Sequence, residues 1–120
     1  MATTRSMATI TQLSELFGLT PRAIRFYEER GLVESGRDMF NRRLYDMPAR
    51  ERLRAIAELR RAGLGLEEIE GVLTLEDGEA RNARIVEALD RRRDQLESDL
   101  NVLRVAMDRY QVQGARKVAA

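Results

Sequence analysis

The 120-residue sequence contains no cysteine and no histidine. Their absence excludes disulfides, thiolate and imidazole metal sites, and the nucleophiles and general base that many enzymes use. Carboxylates alone can still bind a metal, but no series of acidic residues has the spacing of a calcium loop. No nucleophile–base pair and no phosphate-binding loop is present either. We therefore expect no metal, no cofactor and no enzymatic activity.

Long hydrophobic runs are also missing. No segment approaches the roughly 20 apolar residues of a transmembrane helix. The first ten residues, MATTRSMATI, lack the hydrophobic region of a signal peptide. We therefore expect a cytoplasmic protein with no membrane partner, whose 43% hydrophobic content is enough for one small core.

The net charge of +1 hides an asymmetry between the two halves of the chain. Residues 1–61 contain 12 arginines and 8 acidic residues, whereas residues 62–120 contain 9 basic and 12 acidic residues. Such a division is typical of a basic binding module joined to a part with another task. Arginine suits bidentate contacts to phosphate and guanine, although codon bias also explains why Lys117 is the single lysine.

Two short helices are predicted near the start of the chain. Thr9 and Gln12 have the spacing of a capping box, and Gly18 ends the first helix. Thr20 then caps a second helix that begins at Pro21 and ends before the next glycine, at position 31. Two helices joined by a tight turn form a helix-turn-helix, whose second helix lies in the major groove of DNA.

The segment 32–45 predicts a small hairpin, or wing. Turn-forming residues lie between Val33 and Leu44, and arginines 37, 42 and 43 lie near the tip and the second strand. Asp46 then caps a third helix with the apolar residues Leu53, Ile56, Ala57 and Leu59 or Arg60. A Gly-Leu-Gly break precedes a fourth short helix.

Residues 79–113 contain neither proline nor glycine and predict one long helix. A heptad-like apolar stripe runs along it, with Arg92 in one of its positions: Ile85, Leu89, Leu96, Leu100, Leu103, Met107 and Tyr110. A single helix cannot bury such a stripe, so we expect a second copy of the chain to cover it. The stripe alone does not give the direction of the partner helix. Met107 and Tyr110 are also compatible with a small ligand pocket.

The predicted fold is therefore mainly α-helical. A winged helix-turn-helix DNA-binding domain spans residues 9–75, and a coiled-coil dimerisation helix spans residues 79–113. Flexible tails are expected over residues 1–8 and 114–120.

The second helix, the wing and the third helix resemble the MerR family of bacterial transcription regulators. The matching segments are LTPRAIRFYE at residues 19–28, GL at 31–32, RLY at 43–45 and GLGLEEI at 63–69. The resemblance implies a homodimer held by an antiparallel coiled coil of the long helices. It further implies an inverted-repeat promoter site that is bent and untwisted between the −35 and −10 elements, with RNA polymerase as a partner.

The chain departs from the family pattern in places. Metal-sensing branches use cysteines that this sequence lacks, and we expect no appended effector domain. In the wing, Asn41-Arg42-Arg43 replaces the usual Gly-Tyr-Arg, and Phe26-Tyr27 replaces a pair of tyrosines. The effector, the target genes and the direction of regulation stay open.

The candidate DNA contacts lie on the first two helices and the wing: Thr11, Thr20, Arg22, Arg25, Phe26, Tyr27, Arg37, Arg42, Arg43 and Tyr45. Arg22 and Arg25 reach either base edges or phosphates. Tyr27 packs in the core, donates its hydroxyl to phosphate, or does both. An alternative function is a protein-interaction adaptor or a nonspecific architectural DNA binder that works through the coiled coil.

Overall fold

A computed structural model describes residues 7–119 of the chain, with side chains to residue 115. Its elements follow in the order β1 (Ala8–Thr9), α1 (Ile10–Phe17), α2 (Pro21–Glu29), β2 (Gly36–Arg37), β3 (Arg43–Tyr45), α3 (Met47–Arg61), α4 (Leu66–Leu73) and α5 (Gly78–Ala119). The fold is mainly α-helical with a small wing sheet and a long last helix, as the sequence predicts. The molecule measures 77 × 31 × 22 Å because α5 extends far beyond the other elements.

The helices begin where their capping side chains place them. The Thr9 hydroxyl accepts the Gln12 N–H at 3.2 Å, and the Gln12 side chain accepts the Thr9 N–H at 2.9 Å. The Thr20 hydroxyl accepts the Ala23 N–H in the same way. Each cap satisfies a backbone donor that a helix start otherwise leaves unpaired. The predicted capping box and the cap of α2 are confirmed.

The wing belongs to a three-stranded antiparallel sheet with the order β1-β3-β2. In its register Ala8 lies opposite Tyr45, and Gly36 lies opposite Leu44. The sequence placed Ala8 in a flexible tail, which is wrong, because this residue pairs with β3 and is buried. Residues 1–6 of that predicted tail lie outside the described residues.

One core joins the sheet to the four short helices. Its largest fully buried side chains are Tyr45, Leu13, Ile24, Leu53, Ile56 and Ile69. On α3 the last position of the buried stripe is Leu59, and the neighbouring Arg60 is exposed. This core fixes α2 and the wing relative to each other, which positions the candidate site.

The long helix α5 continues to Ala119. The predicted tail is therefore wrong for residues 114–119, and Ala120 lies outside the described residues. A glycine inside a helix costs about 1 kcal/mol relative to alanine, so Gly114 alone does not end it. Within the described residues, no helix combines the length and apolar character needed to span a membrane.

The first part of α5 packs on the core formed by the preceding elements. Ala88 is buried, and Ile85 packs against the same core. Arg92 donates its Nε–H to the Ala62 carbonyl at 3.1 Å, across the end of α3. The sequence placed Ile85 and Arg92 in the coiled-coil stripe, and in the single chain both residues are partly buried against their own domain. Their contacts within one chain join α5 to the rest of the fold.

Candidate nucleic-acid interface

The helix α2 exposes two arginines on the face opposite its buried residues. Ile24 is fully buried and Tyr27 nearly so, which directs Arg22 and Arg25 outward because successive residues of a helix point in different directions. No carboxylate within residues 7–115 forms an ion pair with either guanidinium. Both charges are therefore available to an anionic partner.

A groove of about 400 Å³ separates this helix from the wing. It is lined by the start of α1 and by four arginines: Thr9, Ile10, Thr11, Arg25, Arg37, Arg42 and Arg43. No acidic residue lines it, so the groove concentrates positive charge. The structure thus brings together residues from three elements that the sequence listed separately.

The tip of the wing is held by the Asp38 carboxylate. Its Oδ1 accepts the backbone N–H groups of Phe40 and Arg42, both at 2.9 Å. Its Oδ2 accepts the Nε–H of Arg42 at 2.7 Å. The backbone N–H of Arg42 is the main cause that lowers the pKa of Asp38 below its usual value. These three bonds hold the turn together while Asp38 is ionised.

Arg43 connects the wing to α2. Its Nε lies 2.9 Å from the Glu28 carboxylate, and the Glu28 side chain is only 13% exposed. This arginine is thus committed to an ion pair, unlike Arg25 and Arg37, which form none within residues 7–115. Arg43 positions the wing, and its 32% exposed side chain still borders the groove.

Phe26 is 41% exposed on α2, beside the two free arginines. The Arg30 guanidinium lies 5.4 Å from the centroid of its ring. Arg30 also forms an ion pair with Glu70 of α4. Because Glu70 fixes the position of Arg30, the Phe26 ring contacts this guanidinium on one side and solvent on the other.

Two tyrosines from the candidate site lie in the core. Tyr27 is 7% exposed and packs in the core cluster, which is one of the two roles the sequence left open. Tyr45 is fully buried, so its assignment as a DNA contact is wrong. It follows Leu44 on β3 and lies opposite Ala8, and this pairing turns its ring inward.

The Tyr45 hydroxyl is buried and finds no hydrogen-bond partner within the described residues. Burial, and next the nearby charge of Glu28, raise the pKa of Tyr45 to about 12. A phenol in this setting stays neutral over the physiological range.

The remaining predicted contacts are two exposed threonines. Thr20 uses its hydroxyl oxygen to cap α2, which leaves the hydroxyl proton free to donate outward. Thr11 lies at the start of α1 and lines the arginine groove. Within the described residues, no cluster of acidic side chains has an arrangement that would hold a metal ion.

The far part of α5 exposes the rest of the predicted dimerisation stripe. Six of its side chains are between 37% and 69% exposed in the single chain: Leu89, Leu96, Leu100, Leu103, Met107 and Tyr110. At its N-terminal end, this row of side chains borders an apolar groove of about 340 Å³ that is also lined by Ala62. An apolar row of this length, left uncovered by its own chain, is typical of an interaction surface.

Three features of this interface were missed in the sequence. One is strand β1, which has only two residues and therefore shows no periodicity in the sequence. Another is the ion pair between Arg30 and Glu70, because these residues lie far apart in the chain. Met39 and Phe40 form the exposed tip of the wing, between the turn residues Asp38 and Asn41. An apolar pair between turn-forming residues was the available signal for the tip.

Comparison with known proteins gives a consistent assignment. The family model described as "MerR HTH family regulatory protein" matches residues 8–76, and the model "MerR, DNA binding" matches residues 50–110. The chain therefore belongs to the MerR HTH family of regulatory proteins. This membership confirms the predicted regulator class, and the family comprises regulators rather than enzymes.

Individual relatives agree with this assignment. The HTH-type transcriptional regulator CueR of Vibrio cholerae is 36% identical over 85 residues, which cover 66% of this chain and 58% of CueR. The chain thus spans less than two thirds of the length of that relative.

Solved structures show the same fold. A transcriptional regulator of the MerR family from Bacillus cereus superposes with a TM-score of 0.67 at 20% identity, covering 85% of this chain and 75% of the other. HiNmlR, described as a MerR family regulator lacking the sensor domain and bound to promoter DNA, gives a TM-score of 0.59 at 19% identity. That match covers 85% of this chain and 79% of HiNmlR.

Proposed function

We propose that this protein is a sequence-specific transcriptional regulator that binds promoter DNA as a homodimer. The arginine groove between α2 and the wing carries the proposal. Its walls contain four arginines and no acidic residue. Neutralising phosphates with such side chains releases bound counterions and supplies much of the affinity of a DNA-binding protein.

The arrangement of the elements suits a duplex. In a helix-turn-helix the second helix enters the major groove, and here α2 presents Arg22 and Arg25 on its outer face. Arg37 and Arg42 lie across the groove from Arg25, where they would meet the sugar–phosphate backbone. Arginine in the major groove is the residue best suited to read guanine.

The proposed dimer rests on the exposed stripe of α5. This 42-residue helix is about 63 Å long, and its apolar residues beyond position 89 are absent from the core cluster of the described residues. A second α5, antiparallel as the family resemblance implies, would cover them. Two copies related by a twofold axis would bind an inverted repeat.

Promoter DNA is the proposed target. HiNmlR, which shares this fold, is described as bound to promoter DNA. The resemblance to the family implies that the dimer bends and untwists the spacer, and that RNA polymerase works on the distorted promoter. A regulator of this kind acts in the bacterial cytoplasm, on the nucleoid.

DNA binding is tested by fluorescence anisotropy with labelled mixed-sequence duplexes over a salt series. We expect affinity to fall steeply as salt rises, and Arg25→Ala to weaken binding. Arg84→Ala, which removes an exposed arginine from α5 instead, is the matched control and should bind as wild type does. An absence of salt-sensitive binding would contradict the proposal and favour the adaptor function.

The dimer is tested by sedimentation equilibrium. Leu103→Asp places a charge on the stripe, whereas Val102→Asp places one on a neighbouring exposed position of the same helix. We expect the first variant to be monomeric and the second to remain a dimer, because only the stripe would be buried. A monomeric wild type, or equal effects of the two substitutions, would refute the proposed interface.

A further inference from the structure

Two large apolar side chains project from the tip of the wing. Met39 is 89% exposed and Phe40 is 71% exposed. Neither belongs to the core cluster of the described residues. Single exposed hydrophobic residues are ordinary on protein surfaces, but two adjacent ones on a rigid protrusion indicate a contact surface.

The turn that presents them is well ordered. Besides the bonds to the Asp38 side chain, the Asp38 N–H donates to the Arg42 carbonyl, and the Asn41 N–H donates to the Asp38 carbonyl, both at 3.0 Å. Asn41 has a φ of 62°, a conformation that asparagine tolerates better than most residues. The backbone thus directs both apolar side chains into solvent without needing either of them for its own stability.

Two arginines and one carboxylate, that of Asp38, surround the tip, so its surroundings carry a net positive charge. The Arg42 guanidinium lies 5.3 Å from the centroid of the Phe40 ring. On the other strand, Arg37 donates to the Asn41 carbonyl at 3.0 Å. Both arginines also line the groove that faces α2. The apolar tip therefore continues a positively charged surface, which favours an anionic partner over an apolar protein surface.

We propose that Phe40, with Met39 beside it, is a minor-groove contact of the wing. This inference rests on the proposed DNA binding. The wing lies across the arginine groove from α2, so with α2 in the major groove it would meet the backbone and the adjacent minor groove. Phenylalanine and methionine are among the apolar side chains that proteins insert between base steps from the minor groove. Arg37 would neutralise a neighbouring phosphate, and Arg42 would contact another through the part of its guanidinium that Asp38 leaves free.

Arginines and apolar side chains contribute to DNA affinity in two different ways. Arginines release counterions, so their removal changes the dependence of binding on salt. An apolar side chain releases none, so its removal lowers affinity by the same factor at every salt concentration. This difference distinguishes a direct contact of Phe40 from an indirect effect on Arg42.

The experiment compares Phe40→Ala, Phe40→Leu and wild type by anisotropy on mixed-sequence duplexes over a salt series. We expect Phe40→Ala to weaken binding about tenfold with an unchanged salt slope, which corresponds to about 1.4 kcal/mol. Phe40→Leu should keep most of the affinity. Val102→Ala, which truncates an exposed apolar residue of α5, is the matched control and should bind normally.

Hydroxyl-radical footprinting on the bound duplex locates the contact, because the radical attacks sugars through the minor groove. We expect Phe40→Ala to lose protection only at sugars beside the wing. Wild-type affinity and footprint for Phe40→Ala would overturn the inference while leaving the proposed function intact. If that variant then fails to engage RNA polymerase, the tip contacts protein. If wild type binds no duplex, both the function and the wing contact are wrong.

Discussion

Arg43 on the last wing strand and Glu28 on α2 form an ion pair with an N–O distance of 2.9 Å. The pair joins the two elements that border the arginine groove. Both side chains are partly shielded, with exposed fractions of 32% and 13%. Removing one partner of a shielded pair costs more than breaking a surface pair, because the other charge is left uncompensated. Here the pair also links the wing to the helix.

Glu28→Gln tests this coupling. The amide keeps the shape of the side chain but removes its charge, which leaves Arg43 without an ionic partner. We expect a loss of about 1 kcal/mol in the free energy of unfolding, together with weaker DNA binding although positive charge is gained. Denaturant titration and anisotropy measure the two effects. Tighter DNA binding at unchanged stability would show that the pair has no positioning role.

Arg22→Ala and Arg25→Ala separate base reading from phosphate binding. If Arg25 reads a base, its removal should cost about 1–3 kcal/mol per half-site on the preferred sequence and less on random DNA. Arg22 lies at the start of α2. If it contacts phosphate, Arg22→Ala should lower the affinity equally for the preferred sequence and for random DNA. Competition titrations with specific and random duplexes give the comparison. Equal losses for Arg25→Ala on both duplexes would refute base reading.

Tyr45→Phe tests whether Tyr45 is a core residue and not a DNA contact. Burial disfavours the phenolate and raises the pKa of Tyr45 to about 12 in the folded state. Stability is therefore unaffected below pH 10, where the phenol is neutral in both states, and it falls by about 2–3 kcal/mol as the pH rises from about 10 to 12, because the unfolded chain ionises first.

We expect Tyr45→Phe to bind DNA as wild type does and to lose less stability at alkaline pH. At neutral pH it should be at least as stable, because it removes a buried hydroxyl that has no partner within the described residues. Thermal melts between neutral and alkaline pH check this. Weakened DNA binding at unchanged stability would restore Tyr45 as a contact.

Gly63→Ala tests the junction between α3 and α5. Gly63 has a φ of 95°, and an added Cβ would lie 2.6 Å from the Nε of Arg92. We expect a loss of about 1–3 kcal/mol, and a smaller loss in an Arg92→Ala background. Gly71→Ala, a helical position with open space around the added Cβ, is the control and should not destabilise. Equal melting temperatures for the two alanine variants would contradict this account.

The caps were predictable because they depend on neighbours in sequence. Thr9 with Gln12, and Thr20 with Pro21, specify helix starts through hydrogen bonds that span only a few residues. The resemblance to a known family added the order of the elements. Together these signals gave the winged helix-turn-helix and most of the groove.

Contacts distant in sequence were not predictable in this way. The strand at Ala8 exists only because β3 pairs with it, and that pairing also turns Tyr45 inward. On α5, Ile85 and Leu96 belong to one apolar periodicity and look alike in sequence, although only the first packs against the core of its own domain. The role of Arg92 depends on its contact with Ala62, thirty residues earlier in the chain.

The central claim is that two copies of this chain read an inverted repeat. Selection of bound sequences from a random DNA pool, repeated at low and high salt, tests it most directly. The account predicts an enriched inverted repeat with fixed spacing that persists at high salt. Binding without enrichment, or enrichment of a single half-site alone, would contradict it.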